Sequence, residues 1–321
     1  HHGDLLLAES ASDYAMLTYS WEEAQGYPRR EFPFVFKRCL HWFKLNLEKY
    51  ASACSALDES ERPEDRVLSV KQKRDRALRL AGAVERLAKC SFQALYFQRN
   101  LITDEAWYYL RIDFPHDGGS VKATFTSGQL VAAAEFKKRL LHVATGAMWK
   151  GKQNHLEYLM EKQLYGLKVV ETIDYMGYSK EHQAYVFADV AVKGGQVYHA
   201  NDEDFFDMGT TRLKTLQRSM KLHIETRPTH YNEDWLDRVW LCFGAKGLIA
   251  LTFWLGSTLA EQIRGVHKSY PFLELTGEAG AGKSTLINLI WKMFGRPDDE
   301  GKDPSKGSAA GRRRWMGQVS N

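Results

Sequence analysis

The chain has 321 residues, 44% of them apolar and 26% charged, with a formal net charge of +4 and a pI near 8.7. This is the composition of a soluble globular protein with room for two domains, basic enough to permit a nucleic-acid partner without requiring one. Cys39, Cys54, Cys90 and Cys242 stand far apart, with no C-x-x-C and no nearby paired histidine, which argues against a zinc cluster or a disulfide framework and predicts reduced thiols.

In chain order, residues 4–50 are rich in aromatics, and Phe36, Leu40, Phe43 and Leu47 recur at i, i+4, i+7 and i+11, the spacing of a helix. Such a stripe is usually core; a base-stacking platform is the sharper alternative, and nothing in the stretch selects it. Residues 51–63 are polar and read as a connection. Residues 65–98 read as one long amphipathic helix, with Ala77, Leu80, Val84, Leu87, Ala88 and Leu95 along one face. Its first half is basic, with Arg66, Lys71, Lys73, Arg74, Arg76 and Arg79 partly offset by Asp65, Asp75 and Glu85. A charge run of this kind is usually a solvated face; the functional alternative is phosphate contact by Lys71, Lys73, Arg74 and Arg76.

Residues 112–127, with Pro115 and Asp117-Gly118-Gly119, predict a small hairpin. A helix is expected over 130–141 with Lys137-Lys138-Arg139 at its end, a cluster that complements a helix C-terminus without any ligand. Another spans 155–164 and stops at Gly166. The composition then turns to β-branched and aromatic runs at 167–170, 185–192 and 196–199, with Lys193-Gly194-Gly195 as a hairpin turn. Asn201-Asp202-Glu203-Asp204 invites a metal reading, but turns and helix caps favour the same residues. Residues 212–224 suggest a short strand or helix, bounded by Arg227-Pro228. Residues 233–261 are helical and strongly apolar. Within them 247–260 carry no charge but are too few to span a bilayer, so a buried helix is expected there and no membrane partner.

The most specific stretch follows. Phe272, Leu273 and Leu275 predict a short strand, and Leu286, Leu289, Ile290 and Met293 a helix with one buried face. Between them Gly277-Glu278-Ala279-Gly280-Ala281-Gly282-Lys283-Ser284 matches G-x-x-x-x-G-K-[ST] in full, with Thr285 next. Triphosphate oxygens need converging backbone N–H groups, and only a tight loop without bulky side chains approaches them that closely. A helix starting near Gly282 turns its positive end to the phosphates; Lys283 reaches the β- and γ-phosphates and the Ser284 hydroxyl holds Mg²⁺. The bland alternative, a glycine-rich strand–helix turn with an incidental lysine, does not explain the full match. Arg312, Arg313 and Arg314 beside Trp315 could line a DNA channel, face a neighbour's γ-phosphate or lie solvated.

From about residue 130 onward the chain resembles the primase–helicase proteins of bacteriophages and integrative mobile elements. Their ATPase half groups with superfamily 3-like and phage-type P-loop helicases. The resemblance is carried by KVVETIDYMGYSKEHQAYVFADVAVKGGQVYHANDEDFF, by LIALTFWLGSTLAEQIR and by the stretch from Pro271 onward. It implies ATP hydrolysis with Mg²⁺, coupled to translocation on single-stranded DNA by a ring-shaped homo-oligomer, hexameric in the full-length protein, during replication of the element in a bacterial or phage-host cytoplasm. In such a motor Gly277 to Thr285 hold the nucleotide, Lys283 is the catalytic cation and Ser284 serves the metal. A zinc finger and a toprim primase module often precede this part in the family; neither is visible. Residues 284–321 contain no apolar strand ending in an acid, so the sequence is expected to stop before Walker B and to hydrolyse ATP poorly alone.

The fold expected is α+β followed by α/β. Residues 1–165 form a mainly helical domain, 166–228 a small β-rich one, and 229–321 a helical lead-in to the start of a P-loop NTPase domain of RecA/AAA+ type. Two other classes stay open: an ATP-dependent regulatory or anti-phage defence switch, and a small-molecule kinase. Salt-dependent binding of single-stranded DNA separates the helicase from both.

Overall fold

Ser10 starts the first helix, α1 (Ala11–Ala24), by accepting a hydrogen bond from the Asp13 N–H at 3.1 Å. The structure, a computed structural model, describes residues 7–115, 119–217, 230–295 and 308–311, with 5, 225 and 227 singly. The chain divides into two compact units, residues 1–98 with 106–168, and residues 99–105 with 169–321.

In the first unit β1 (Glu31–Phe36) and β2 (Cys39–Leu45) pair antiparallel around Lys37-Arg38, which take φ of 48° and 58°. Two positive φ values in a two-residue loop match the twist of the flanking strands. β3 (Gly82–Ala88) adds to the other edge of β2. Phe32, Phe34, Phe43 and Leu45 pack on one side against Ala15, Met16 and Tyr19 of α1. Leu40, Trp42 and Leu87 belong instead to a second cluster with Phe92, Ile112, Phe136 and Trp149.

This corrects four expectations. The helix read through Phe36, Leu40, Phe43 and Leu47 is the β1–β2 hairpin. The helix read over 65–98 is a turn α3 (Pro63–Arg66), a helix α4 (Val70–Ala81), then β3 and β4 (Ser91–Arg99). Gly82 marks the end of α4: a Cβ there would lie 2.7 Å from the Met16 side chain and 2.8 Å from the Phe43 ring, so the chain must turn at a residue without one. The connection read at 51–63 is mostly helix, α2 (Leu47–Asp58), capped by Asn46 and packed on α4. The mainly helical first domain is therefore a mixed α/β unit.

β4, β5 (Ala106–Asp113) and β6 (Ser120–Phe125) lie side by side, with β5 and β6 forming the expected hairpin. α5 (Ser127–Val131), α6 (Ala133–Val143) and α7 (Gln153–Leu164) cover them through Leu130, Phe136, Leu140, Leu156 and Leu159. Arg139 is not at the end of its helix, which runs on to Val143. Its guanidinium donates to the Thr124 carbonyl at 2.8 and 3.0 Å and lies over the Phe125 ring.

The second unit contains a mixed sheet: β7 (Val169–Ile173) runs parallel to β13 (Thr211–Thr215), which is antiparallel to β12 (Phe206–Met208). A four-stranded antiparallel sheet is formed by β8 (Gly177–Ser179), β9 (Ala184–Val186), β10 (Val190–Lys193) and β11 (Gln196–His199). Gly194 and Gly195 make the expected turn, with φ of 57° and 77°. The acidic run is a turn in which the Asn201 side chain accepts from the Glu203 and Phe205 N–H groups.

Among the described residues the unit also contains the helices α8 (Asp234–Ser257), α9 (Ala260–His267) and α10 (Lys283–Met293). α8 breaks at Gly244, with φ 58° and ψ −155°. It is not the buried helix expected. Val239, Ala250 and Leu251 are buried against Leu286 and Ile290 of α10, while Leu241 is 85% and Ile249 63% exposed. By length and composition alone α8 could cross a membrane.

A candidate nucleotide-binding loop

The approach to the loop is fixed by aromatics. The Tyr270 ring stacks on Phe253 of α8 at 4.9 Å, and its hydroxyl donates to the Phe253 carbonyl. Burial there raises the Tyr270 pKa. The strand read at Phe272, Leu273 and Leu275 is not formed: residues 271–276 pair with none of the described strands, and a strand exists only through its ladder. Leu275 packs beside the α8–α10 core, whereas Phe272 is fully exposed.

The loop itself takes the shape its glycines allow. Gly280 and Gly282 have φ of 82° and 79°, values an L-residue adopts at a cost. Gly282 is also the N-cap of α10 and places no side chain of its own before the first turn; the Phe243 ring comes within 3.8 Å of its β position. Lys283 folds back over the loop: its ammonium donates to the Gly277 and Glu278 carbonyls, both at 2.7 Å. The Ala281 N–H reaches the Glu278 carbonyl at 3.3 Å. Ser284 and Thr285 are exposed in the first turn.

α10 is held from behind. Leu286 and Ile290 are buried on α8, and Trp291 meets Trp254 edge-on at 4.6 Å, with Phe294 at 5.7 Å from the same indole. A rigid helix thus presents uncapped N–H groups, its positive end and a movable ammonium on one side. Phosphate is the anion this arrangement suits. Gly282 is conformationally free to cap the helix without a side chain, and Ser284 is exposed in the first turn that follows. Gly277, Glu278, Ala279, Gly280, Ala281, Gly282, Lys283, Ser284 and Thr285 are therefore together as one loop and helix start.

The basic residues of α4 belong to the other unit. Lys73 pairs with Asp58 at 3.1 Å and Arg76 with the buried Asp65 at 2.6 Å, while Lys71 and Arg74 are exposed. Arg312, Arg313 and Arg314 lie outside the described residues.

One constellation was not legible in the sequence. Ser179 Oγ lies 2.6 Å from His182 Nδ1, and His182 Nε2 lies 2.5 Å from Glu171 Oε2. It resembles the nucleophile–base–acid order of a hydrolase. A nucleophile must be reached by its substrate, and Ser179 is fully buried, so the chain of bonds pins the β8–β9 turn to β7 instead. Ser-x-x-His is too common a spacing to have flagged it.

No family model matches the chain, and no curated protein matches it. Among solved structures it is similar to a chain described as "SCCmec type IV Cch - active helicase", with a TM-score of 0.38 and 13% identity. The likeness covers 68% of this chain and 39% of that one, so the present chain spans about two fifths of its length. At that distance the functional reading has to rest on the loop.

Proposed function

We propose that this chain is the ATP-binding part of a DNA helicase or primase–helicase of a phage or integrative element, coupling ATP hydrolysis to unwinding when the element replicates. The observation that carries the nucleotide half of the reading is the loop: left-handed glycines, an N-cap without a side chain, and a lysine bridging the loop's first carbonyls. The helicase half is supported by the resemblance of the stretches around the loop to that family.

In this reading the loop N–H groups and Lys283 take the phosphates, Ser284 takes Mg²⁺, and the bound triphosphate supplies the free energy of its hydrolysis. Lys283 exchanges two neutral carbonyl partners for phosphate oxygens, adding the attraction between opposite full charges to bonds that are already charge-assisted. A ring of copies acting on single-stranded DNA belongs to the same proposal, with Lys71 and Arg74 as its exposed cations on α4.

The test uses Lys283→Ala. Its side chain touches loop carbonyls and no core residue, so the fold should be kept, with Mg-ATP binding reduced by about a hundredfold, two lost charged contacts. Unchanged affinity in this variant overturns the assignment. Single-stranded DNA binding that weakens with salt separates the helicase from a switch or a kinase.

A further inference from the structure

In an unbroken helix the Cβ atoms of residues four apart stand about 5–6 Å from each other. In α8 a Cβ on Gly247 would lie 2.2 Å from the Phe243 Cβ, so the break at Gly244 folds Phe243 back onto the turn that follows it. The bend needs two glycines: Gly247 for space, and Gly244 for a φ of 58° with a ψ of −155°, a backbone conformation that side chains resist. A straight helix would need neither. What the bend brings about is a contact with the loop: the Phe243 ring comes within 3.8 Å of the β position of Gly282, the N-cap of α10.

That contact works against a loop that takes phosphate. Oxygens accepting from the N–H groups at the start of α10 would stand about 3 Å from those nitrogens, beside Gly282. A phenyl face is electron-rich and offers an anion no donor, so ring and phosphates compete for one side of the helix start. Phe243 is only partly buried, at the edge of the α8–α10 core, so it can leave without opening that core. We infer that Phe243 is an autoinhibitory gate on the loop: at rest its ring covers the start of α10, and phosphates enter when α8 straightens at Gly244 and carries the ring away. The apparent affinity of such a site is its intrinsic affinity multiplied by the fraction of molecules that are open. The inference rests on the nucleotide reading of the loop and adds its regulation.

The probes are Mg-ATP and inorganic tripolyphosphate with Mg²⁺, titrated into the 321-residue chain and its variants. Phe243→Ala removes the ring. Gly244→Ala keeps the ring but favours a straight helix over the bend. Each should bind both ligands about tenfold more tightly, as for a gate closed about nine-tenths of the time, and both ligands alike because the gate acts on the phosphate end. Adding Lys283→Ala to Phe243→Ala should abolish the gain, which places the uncovered site at the loop. Should Phe243→Ala lose its fold in a thermal melt, Gly244→Ala decides alone. Weaker binding by the variants would mean that the ring supports the loop, and unchanged binding that it stands clear of the phosphates. Either result overturns the gate and leaves the nucleotide reading intact. If neither the wild-type chain nor any variant binds either ligand, the nucleotide reading falls and the gate with it.

Discussion

Gly282 has two independent reasons to carry no side chain: a φ of 79°, and a position directly before the first turn of α10. An L-residue in the left-handed region costs about 1–2 kcal/mol, most for a β-branched one. Gly282→Val should therefore lower both melting temperature and Mg-ATP affinity, and the affinity by more than Lys283→Ala does, because a valine blocks the space while an alanine only removes a charge. Near-wild-type ATP binding by Gly282→Val, measured by calorimetry, would show that the loop does not wrap phosphate. At this scale the sequence was most informative. The loop's residues are contiguous, so their spacing and the proposed phosphate role can be read without knowing the fold. Ser179, His182 and Glu171 were not legible because β7 and the β8–β9 turn meet only through the fold.

Elements were legible where one face is wet. The β5–β6 and β10–β11 hairpins and helix α7 follow from alternation or turn chemistry. β2 defeats that logic: Leu40 and Trp42 face one cluster, Phe43 and Leu45 the other, so almost every residue is apolar and no period of two survives. What remains is an accidental helical spacing that runs across the turn into Leu47. The turn itself gives no warning, since Lys37-Arg38 is an unusual pair for two positive φ values, where asparagine and glycine are favoured. That departure makes a prediction. Lys37 loses about 1–2 kcal/mol to its backbone conformation and recovers about 0.5 kcal/mol from its ammonium over the Phe36 ring, 5.1 Å from the centroid. Lys37→Asn should raise stability by about 0.5–1 kcal/mol in urea unfolding, since Asn tolerates the left-handed region. A loss of stability would mean that the ring contact outweighs the strain. Arg38 is left in place because it donates to the Phe114 carbonyl at 3.2 Å.

Stability of the chain against acid should be set by the first unit. His41 and His155 are both buried, and both lie next to the sheet around β2: His41 stacks on Phe34 at 5.4 Å, His155 on Trp42 at 4.6 Å. Burial pushes the pKa of each below the ordinary 6.5. For His41 the Cys39 carbonyl opposes the shift and Arg86 adds to it; for His155 Glu85, 3.7 Å away, opposes it and Lys152 adds. A histidine whose folded pKa is depressed favours folding in its neutral form. The unfolded chain then binds more protons below pH 6.5, so the stability these groups contribute is present above that value and is lost as pH falls through it. Because the two rings serve the two clusters that share β2, acid loosens both sides of one sheet together. The melting temperature should fall between pH 7 and pH 5, with hydrogen exchange quickening first in β1, β2 and β3. His41→Gln and His155→Gln together should flatten that pH dependence even if they lower the melting temperature at pH 7. An unchanged slope in the double variant would place the acid sensitivity elsewhere in the molecule.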